Sequence, residues 1–224
     1  MQFPSPDPLW LLELAKVIIL FALGFLLLFR WFRAERRFYT DIPFLFAIGF
    51  FILAGAESVD VLIHSGLLPP FDLFTYKIRA AFTAMSLAFF LYPTLLIWMS
   101  ERRRLRDMIP IIYIILVLLI VALTPTEMLL RLLLIPFMLV VYVGFTVSFF
   151  AAWMMGRLTE VHGLIISIGG TVTILGQILK VFLPITLVWV SEVIEILGLI
   201  ILWAGLNIKS GRTKVPPPTQ SPPA

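Results

Sequence analysis

Residues 44–64 read FLFAIGFFILAGAESVDVLIH. The stretch is apolar from Phe44 to Ala56, then places Glu57, Asp60 and His64 in a run otherwise fit for lipid. At a rise of about 1.5 Å per residue, a run of this length crosses a hydrocarbon core of about 30 Å. Lipid offers no partners to backbone N–H and C=O groups, so a run that spans it must be a helix. An ionisable side chain at that depth is costly unless it is paired, hydrated or turned inward. The stretch therefore predicts both a membrane helix and a polar interior for that helix to face.

The rest of the chain repeats the pattern. Of its 224 residues, 61% are hydrophobic and 13% charged, with a mean hydropathy of +1.05. A soluble domain is about a quarter charged, and no soluble core of this size could bury so much apolar surface. Apolar runs at 9–29, 41–65, 77–99, 108–124, 127–153, 161–182 and 186–208 predict an all-α integral membrane protein. The expected architecture is a bundle of seven transmembrane helices over residues 1–208, followed by a disordered, Pro-rich cytoplasmic tail over 209–224. The runs are continuous, unlike the short alternating strands of a membrane β-barrel. Met1–Pro8 carries no basic residue, unlike the start of a secretory leader, so the first run is expected to be retained.

Lys and Arg in short loops set orientation. Arg30, Arg33, Arg36 and Arg37 follow the first run, Arg102, Arg103, Arg104 and Arg106 the third, Arg157 the fifth, and Lys209, Arg212 and Lys214 the seventh. The connections Gly66–Tyr76, Thr124–Thr126 and the turn around Pro184 carry none. The asymmetry predicts a multi-pass protein of the cell membrane with its N-terminus outside and its C-terminus cytoplasmic. The basic loops suit anionic lipid headgroups. This positional pattern, rather than nucleic-acid binding, accounts for the net charge of +4 and pI near 9.6. Expected partners are the bilayer itself and either another membrane protein or further copies of the chain.

Helical spacing sorts the intramembrane polar residues into stripes. Glu57, Asp60 and His64 share one face of the second run, continued by Phe50 and Leu53. Glu13 and Lys16 are i, i+3 neighbours in the first, as are Glu192 and Glu195 in the seventh. Arg79, Thr83 and Ser86 align in the third, and His162, Gly169, Thr173, Gln177 and Lys180 in the sixth. Glu127 and Arg131 have the i, i+4 spacing of a helical ion pair. Counted from the run ends, all these charges except His162 fall in the expected outer half, and the inner half is aliphatic and aromatic. Lys16, Lys77, Arg79, Arg131 and Lys180 stand near enough to an interface to snorkel, and Glu13–Lys16 and Glu127–Arg131 are expected as boundary pairs. Glu57, Asp60, His64, Gln177, Lys180, Glu192 and Glu195 are the candidates for a ligand or ion pathway, with Glu57 and Glu195 facing each other across the interior. Gly163, Ser167, Gly169, Gly170 and Gly176 predict close packing of the sixth helix.

The chemistry is bounded by what is missing. The chain has no cysteine, which excludes disulfides, thiolate metal sites and cysteine nucleophiles. Its histidines are His64 and His162, so a multi-histidine centre cannot be built from it. Asp60 and His64 are the candidates for a metal bound through oxygen and one imidazole. No HExxH, serine-nucleophile or paired-aspartate protease motif is present, which leans away from an enzyme, and no cofactor is implied. A retinal protein needs a lysine deep in the last helix, where none precedes Lys209. A single Asn and no Cys fit a thermophile. The leading expectation is a non-catalytic subunit of a larger membrane assembly, whose charged stripes would face outward to meet neighbours. The alternatives are a seven-helix sensor for a small polar ligand, an ion or external pH, and a proton or ion channel or transporter. Both would instead turn the stripes inward.

Overall fold

A computed structural model describes residues 9–36, 38–69, 72–158, 161–183 and 187–209. Within them the chain forms α1 (Leu9–Phe32), α2 (Ile42–His64), α3 (Leu73–Trp98), α4 (Arg103–Leu123), α5 (Glu127–Met154), α6 (Gly163–Phe182) and α7 (Val188–Asn207). Each is long and apolar enough to cross a membrane. The segments expected as a leader-free N-terminus (1–8), the turn around Pro184 and the tail beyond Lys209 lie outside the described residues.

Local chemistry places the helix ends. Asp72 starts α3 by accepting the Thr75 N–H on its side chain, and Thr126 starts α5 by accepting that of Leu129. Such caps satisfy amides that have no partner within the helix. At the other end of α2, Gly66 takes a φ of 80°, so that its N–H reaches the Ile63 carbonyl while the Leu67 N–H reaches that of Leu62. This is the paired closure that a left-handed glycine permits. Two helices start earlier than hydropathy predicts. α3 begins at Leu73 and α4 at Arg103, so Lys77 and Arg79 stand in the second turn of α3, and Arg103, Arg104 and Arg106, expected in the loop after the third run, belong to the first turn of α4. Charge ends an apolar run, but a helix continues until its backbone is capped, and long basic side chains reach water from within it.

Six helices close a ring in the order α1, α2, α3, α5, α6, α7, with α7 returning to α1. α4 lies outside that ring against α3 and touches α5 only slightly. Helices joined by short connections usually pack as antiparallel neighbours, and α4–α5 departs from this. The apolar faces of both are broadly exposed, with Ile112, Leu119, Leu132 and Val140 among them. The α6–α7 contact is the closest, as the small residues of α6 predict. A side chain added at Gly169 would run into the backbone of Leu202.

The ring has two layers. At the end where α1, α3, α5 and α7 begin and α2 and α6 finish, its interior is charged. Towards the other end, Phe46, Phe50, Phe90, Phe145 and Phe149 pack together, with ring centroids 4.8 Å apart for Phe145–Phe149 and 5.2 Å for Phe46–Phe90. Beyond them, the Arg30 guanidinium of α1 donates to the Leu206 carbonyl of α7, which ties the first and last helices at that end as well.

Candidate functional site

The charged layer is organised by Lys16. Its ammonium lies 2.6 Å from Glu57 Oε2, 2.5 Å from Glu192 Oε2 and 2.8 Å from Glu195 Oε2. α1, α2 and α7 each deliver one side of this arrangement. Lys16 stands seven residues after the start of α1, Glu57 seven before the end of α2, and Glu195 seven after the start of α7. At about 1.5 Å per residue the three therefore share one depth, about 10 Å from the helix ends. Lys16 is 1% exposed and Glu192 fully buried. The other oxygen of Glu192 pairs with Lys180 of α6, so this carboxylate bridges two ammonium groups. Room for the stripe on α7 comes from Gly176 of α6, where a side chain would meet Glu195 Cγ and the Ser191 carbonyl.

Two further pairs extend the layer towards the helix ends. Arg79 of α3 holds Asp60 through its Nε, 2.6 Å from Oδ1 and 2.7 Å from Oδ2. Glu13 of α1 meets His64 Nδ1 at 2.7 Å. Glu13 is buried, whereas the His64 side chain is 34% exposed and forms the surface of the pair.

Six of the seven candidates, Glu57, Asp60, His64, Lys180, Glu192 and Glu195, thus enter one inward-facing set of ion pairs. Gln177, half-buried one turn before Lys180 on α6, enters none of them. Asp60 and His64, weighed as metal ligands, turn instead to Arg79 and Glu13. Among the described residues no three His, Asp or Glu side chains gather as a metal-binding group.

The expected boundary pairs divide. Glu127–Arg131 forms as an exposed i, i+4 pair, with Arg131 also over the Tyr76 ring. Glu13–Lys16 does not form. Residues at i, i+3 share a face but need not touch, and here each points to a different neighbour: Glu13 to α2, Lys16 to the centre. Lys16 was expected to snorkel, yet three buried carboxylates hold it inside, where leaving them without a cation would cost far more than its own desolvation. Lys16, Glu13 and Arg79 were therefore missing from the candidates. The signal that finds Lys16 is depth: Glu57 and Glu195, each seven residues from a helix end on the same side, need a cation at that height.

Several buried polar atoms have no hydrogen-bond partner among the described residues: Tyr113 Oη, His162 Nδ1, Trp203 Nε1 and Glu195 Oε1. His162 lies at the opposite end of the bundle from the cluster, its ring 6.4 Å from that of Trp153.

The seven apolar helices and their buried charges define an all-helical, multi-pass membrane protein. No protein family, curated protein or solved structure matches the chain.

Proposed function

We propose that the chain is a seven-helix sensor of the cell membrane, with its N-terminus outside, that responds to a small external cation through the Lys16 cluster. One observation carries the reading. Three buried carboxylates share the Lys16 ammonium in a layer that five packed phenylalanines close off from the other half of the bundle. The loop charges support the orientation, which puts this layer on the outer side. A group of buried charges with more acid than base is responsive by construction, because a proton or cation entering it changes which pairs are satisfied. The phenylalanine layer supports a sensor over a through-path, since a proton route needs titratable or hydrated groups along its whole length. Signal would leave through helix movement to the basic loops, where Arg30 joins α1 to α7 and where a partner protein is expected.

The test uses purified protein in lipid vesicles with the internal pH fixed and the external pH stepped. Trp10 and Trp189 are natural reporters, each one helical turn before an acid of the charged layer, Glu13 and Glu192. The expected result is a reversible change in tryptophan emission that Glu195→Gln and Lys16→Met abolish, without proton flux into the vesicles. An emission independent of external pH and of sodium overturns the reading. A steady flux replaces the sensor with a proton pathway.

The assembly-subunit reading expects charged stripes that face outward, and the candidates other than Gln177 pair inward. What supports it instead is apolar: α4 stands outside the ring and leaves wide faces on itself and α5. Co-purification of a second membrane protein lost on polar substitution at Ile112 and Leu119 would favour it.

A further inference from the structure

The inward-facing ion pairs meet their surroundings through bases. Glu13, Glu57, Asp60, Glu192 and Glu195 each expose 8% of the side chain or less. The members that reach the surface are His64 at 34%, Arg79 at 26% and Lys180 at 23%. Each covers an acid: His64 covers Glu13, Arg79 covers Asp60 and Lys180 covers Glu192.

This arrangement treats a metal ion and a proton differently. A metal ion seeks carboxylate oxygens, and to reach one here it must displace a base, which then loses its own partner. A charge left at this depth without its partner is expensive. The His64 imidazole alone falls short of the several protein ligands that a bound metal takes.

A proton displaces nothing, provided that one base offers a lone pair. Arg79 and Lys180 offer none, since guanidinium and ammonium groups only donate. His64 does, and the contacts of its ring say where. Nδ1 lies 2.7 Å from Glu13 Oε2 and 3.1 Å from the Asp60 backbone carbonyl oxygen. A carbonyl only accepts, and so does an ionised carboxylate, so Nδ1 carries a hydrogen and donates to both. The lone pair of the neutral ring is therefore on Nε2. That nitrogen bonds to none of the described residues, and it is not among the buried atoms left without a partner. The charged groups facing the ring are Glu13 from α1 and Asp60 from α2 itself. Beyond them stand Arg79 of α3, on Asp60, and Lys180 of α6, whose charge acts on Glu13.

We propose that Nε2 of His64 is the proton-binding site of the charged layer, and that Arg79 and Lys180 keep metal cations from its acids. On uptake, one proton from the solvent bonds to the Nε2 lone pair and no bond breaks. The ring becomes an imidazolium, and the His64–Glu13 pair passes from a net charge of minus one to neutral. Nδ1 keeps its hydrogen and its two acceptors, so a charged donor replaces a neutral one on buried Glu13 without rearrangement. Charge-assisted hydrogen bonds are the stronger kind, so α1, which carries both Glu13 and Lys16, is held to α2 more firmly in acid than in alkali. This narrows the cation of the sensor reading to the proton and rests on that reading for its use, but its test does not depend on any response to the outside.

The experiment is nitrogen-15 magnetic resonance of the full chain in lipid nanodiscs, with both histidines labelled, in alkaline and in acidic buffer. His162→Gln leaves His64 as the single ring, and His64→Gln identifies the same signals by their loss, so either variant suffices for the assignment. The His64 ring should carry its hydrogen on Nδ1 in alkaline buffer and gain a second on Nε2 on acidification. Glu13→Gln should move the midpoint of that titration. Sodium or calcium in place of choline, at constant pH and ionic strength, should leave the His64 signals unchanged. A ring that carries its hydrogen on Nε2 in alkaline buffer, or does not titrate, overturns the site. A metal ion that shifts the His64 signals at constant pH overturns the exclusion of metal cations. If His64 titrates while tryptophan emission ignores external pH, the proton site stands and the sensor reading fails. If emission follows external sodium at constant pH, the sensor stands and the proton as its cation is overturned.

Discussion

Lys16 and Glu195 stand 179 positions apart in the chain and 2.8 Å apart in space. The contact joins the first helix to the last and sets the Lys16 ammonium among three carboxylates. Removing that cation strands Glu57 and Glu195 and leaves Glu192 with Lys180 alone. Lys16→Met should therefore lower stability by about 3–5 kcal/mol, as breaking a buried ion pair does, and Lys16→Arg should recover part of it. Equilibrium unfolding in mixed micelles measures both. Arg131→Ala, which removes an exposed pair, should cost about 1 kcal/mol or less.

Glu57→Leu should damage any external-pH response far more than Arg131→Leu. Glu57 is buried on Lys16, while the Arg131 side chain is more than half exposed. The tryptophan assay reads both variants, and equal effects would place the response outside the cluster.

Gly176→Ala should displace Glu195, because the added methyl meets its Cγ and the Ser191 carbonyl. Overpacking of this kind costs about 1–3 kcal/mol. Gly144→Ala is the matched control, since a side chain there meets nothing within 4 Å, and it should stabilise α5 by about 0.5–1 kcal/mol. Thermal unfolding of the two variants separates crowding from helix propensity.

Asp60→Asn and Arg79→Met should be non-additive, with a coupling of about 0.5–3 kcal/mol in a double-mutant cycle. Their two-contact geometry predicts it, and strict additivity would show that the pair contributes no net coupling.

The chain's lack of cysteine makes orientation directly measurable. Leu67→Cys, in the exposed turn after α2, should react with a membrane-impermeant maleimide on intact cells. Ser100→Cys, between α3 and α4, should react only after permeabilisation. The reverse pattern would invert the bundle.

Much of this architecture was legible because lipid leaves few options. A run such as Phe44–His64 can only be a helix, and the spacing of Glu57, Asp60 and His64 can only be a stripe. Which stripe meets which was harder. Spacing put Glu13 beside Lys16, but pairing is decided by neighbours on other helices, and those follow from ring order. That order also hid the position of α4, whose turn to α5 is short although the two helices scarcely touch. Depth was the underused signal. Counting seven residues from the helix ends brings Lys16, Glu57 and Glu195 to one level before any packing is known.

The closure of the ring by α1 and α7 has a consequence for how the protein is made. Synthesis runs from the N-terminus, so Lys16 enters the membrane 176 residues ahead of Glu192. Glu13 meets its partner as soon as α2 arrives, and Asp60 as soon as α3 does. Lys16 and Glu57 wait together for the last helix, and Lys180 has no acid of its own until then. A chain cut short before α7 leaves Lys180 without its acid and the seam between α1 and α6 open. The cluster is thus complete only once the last helix is in place.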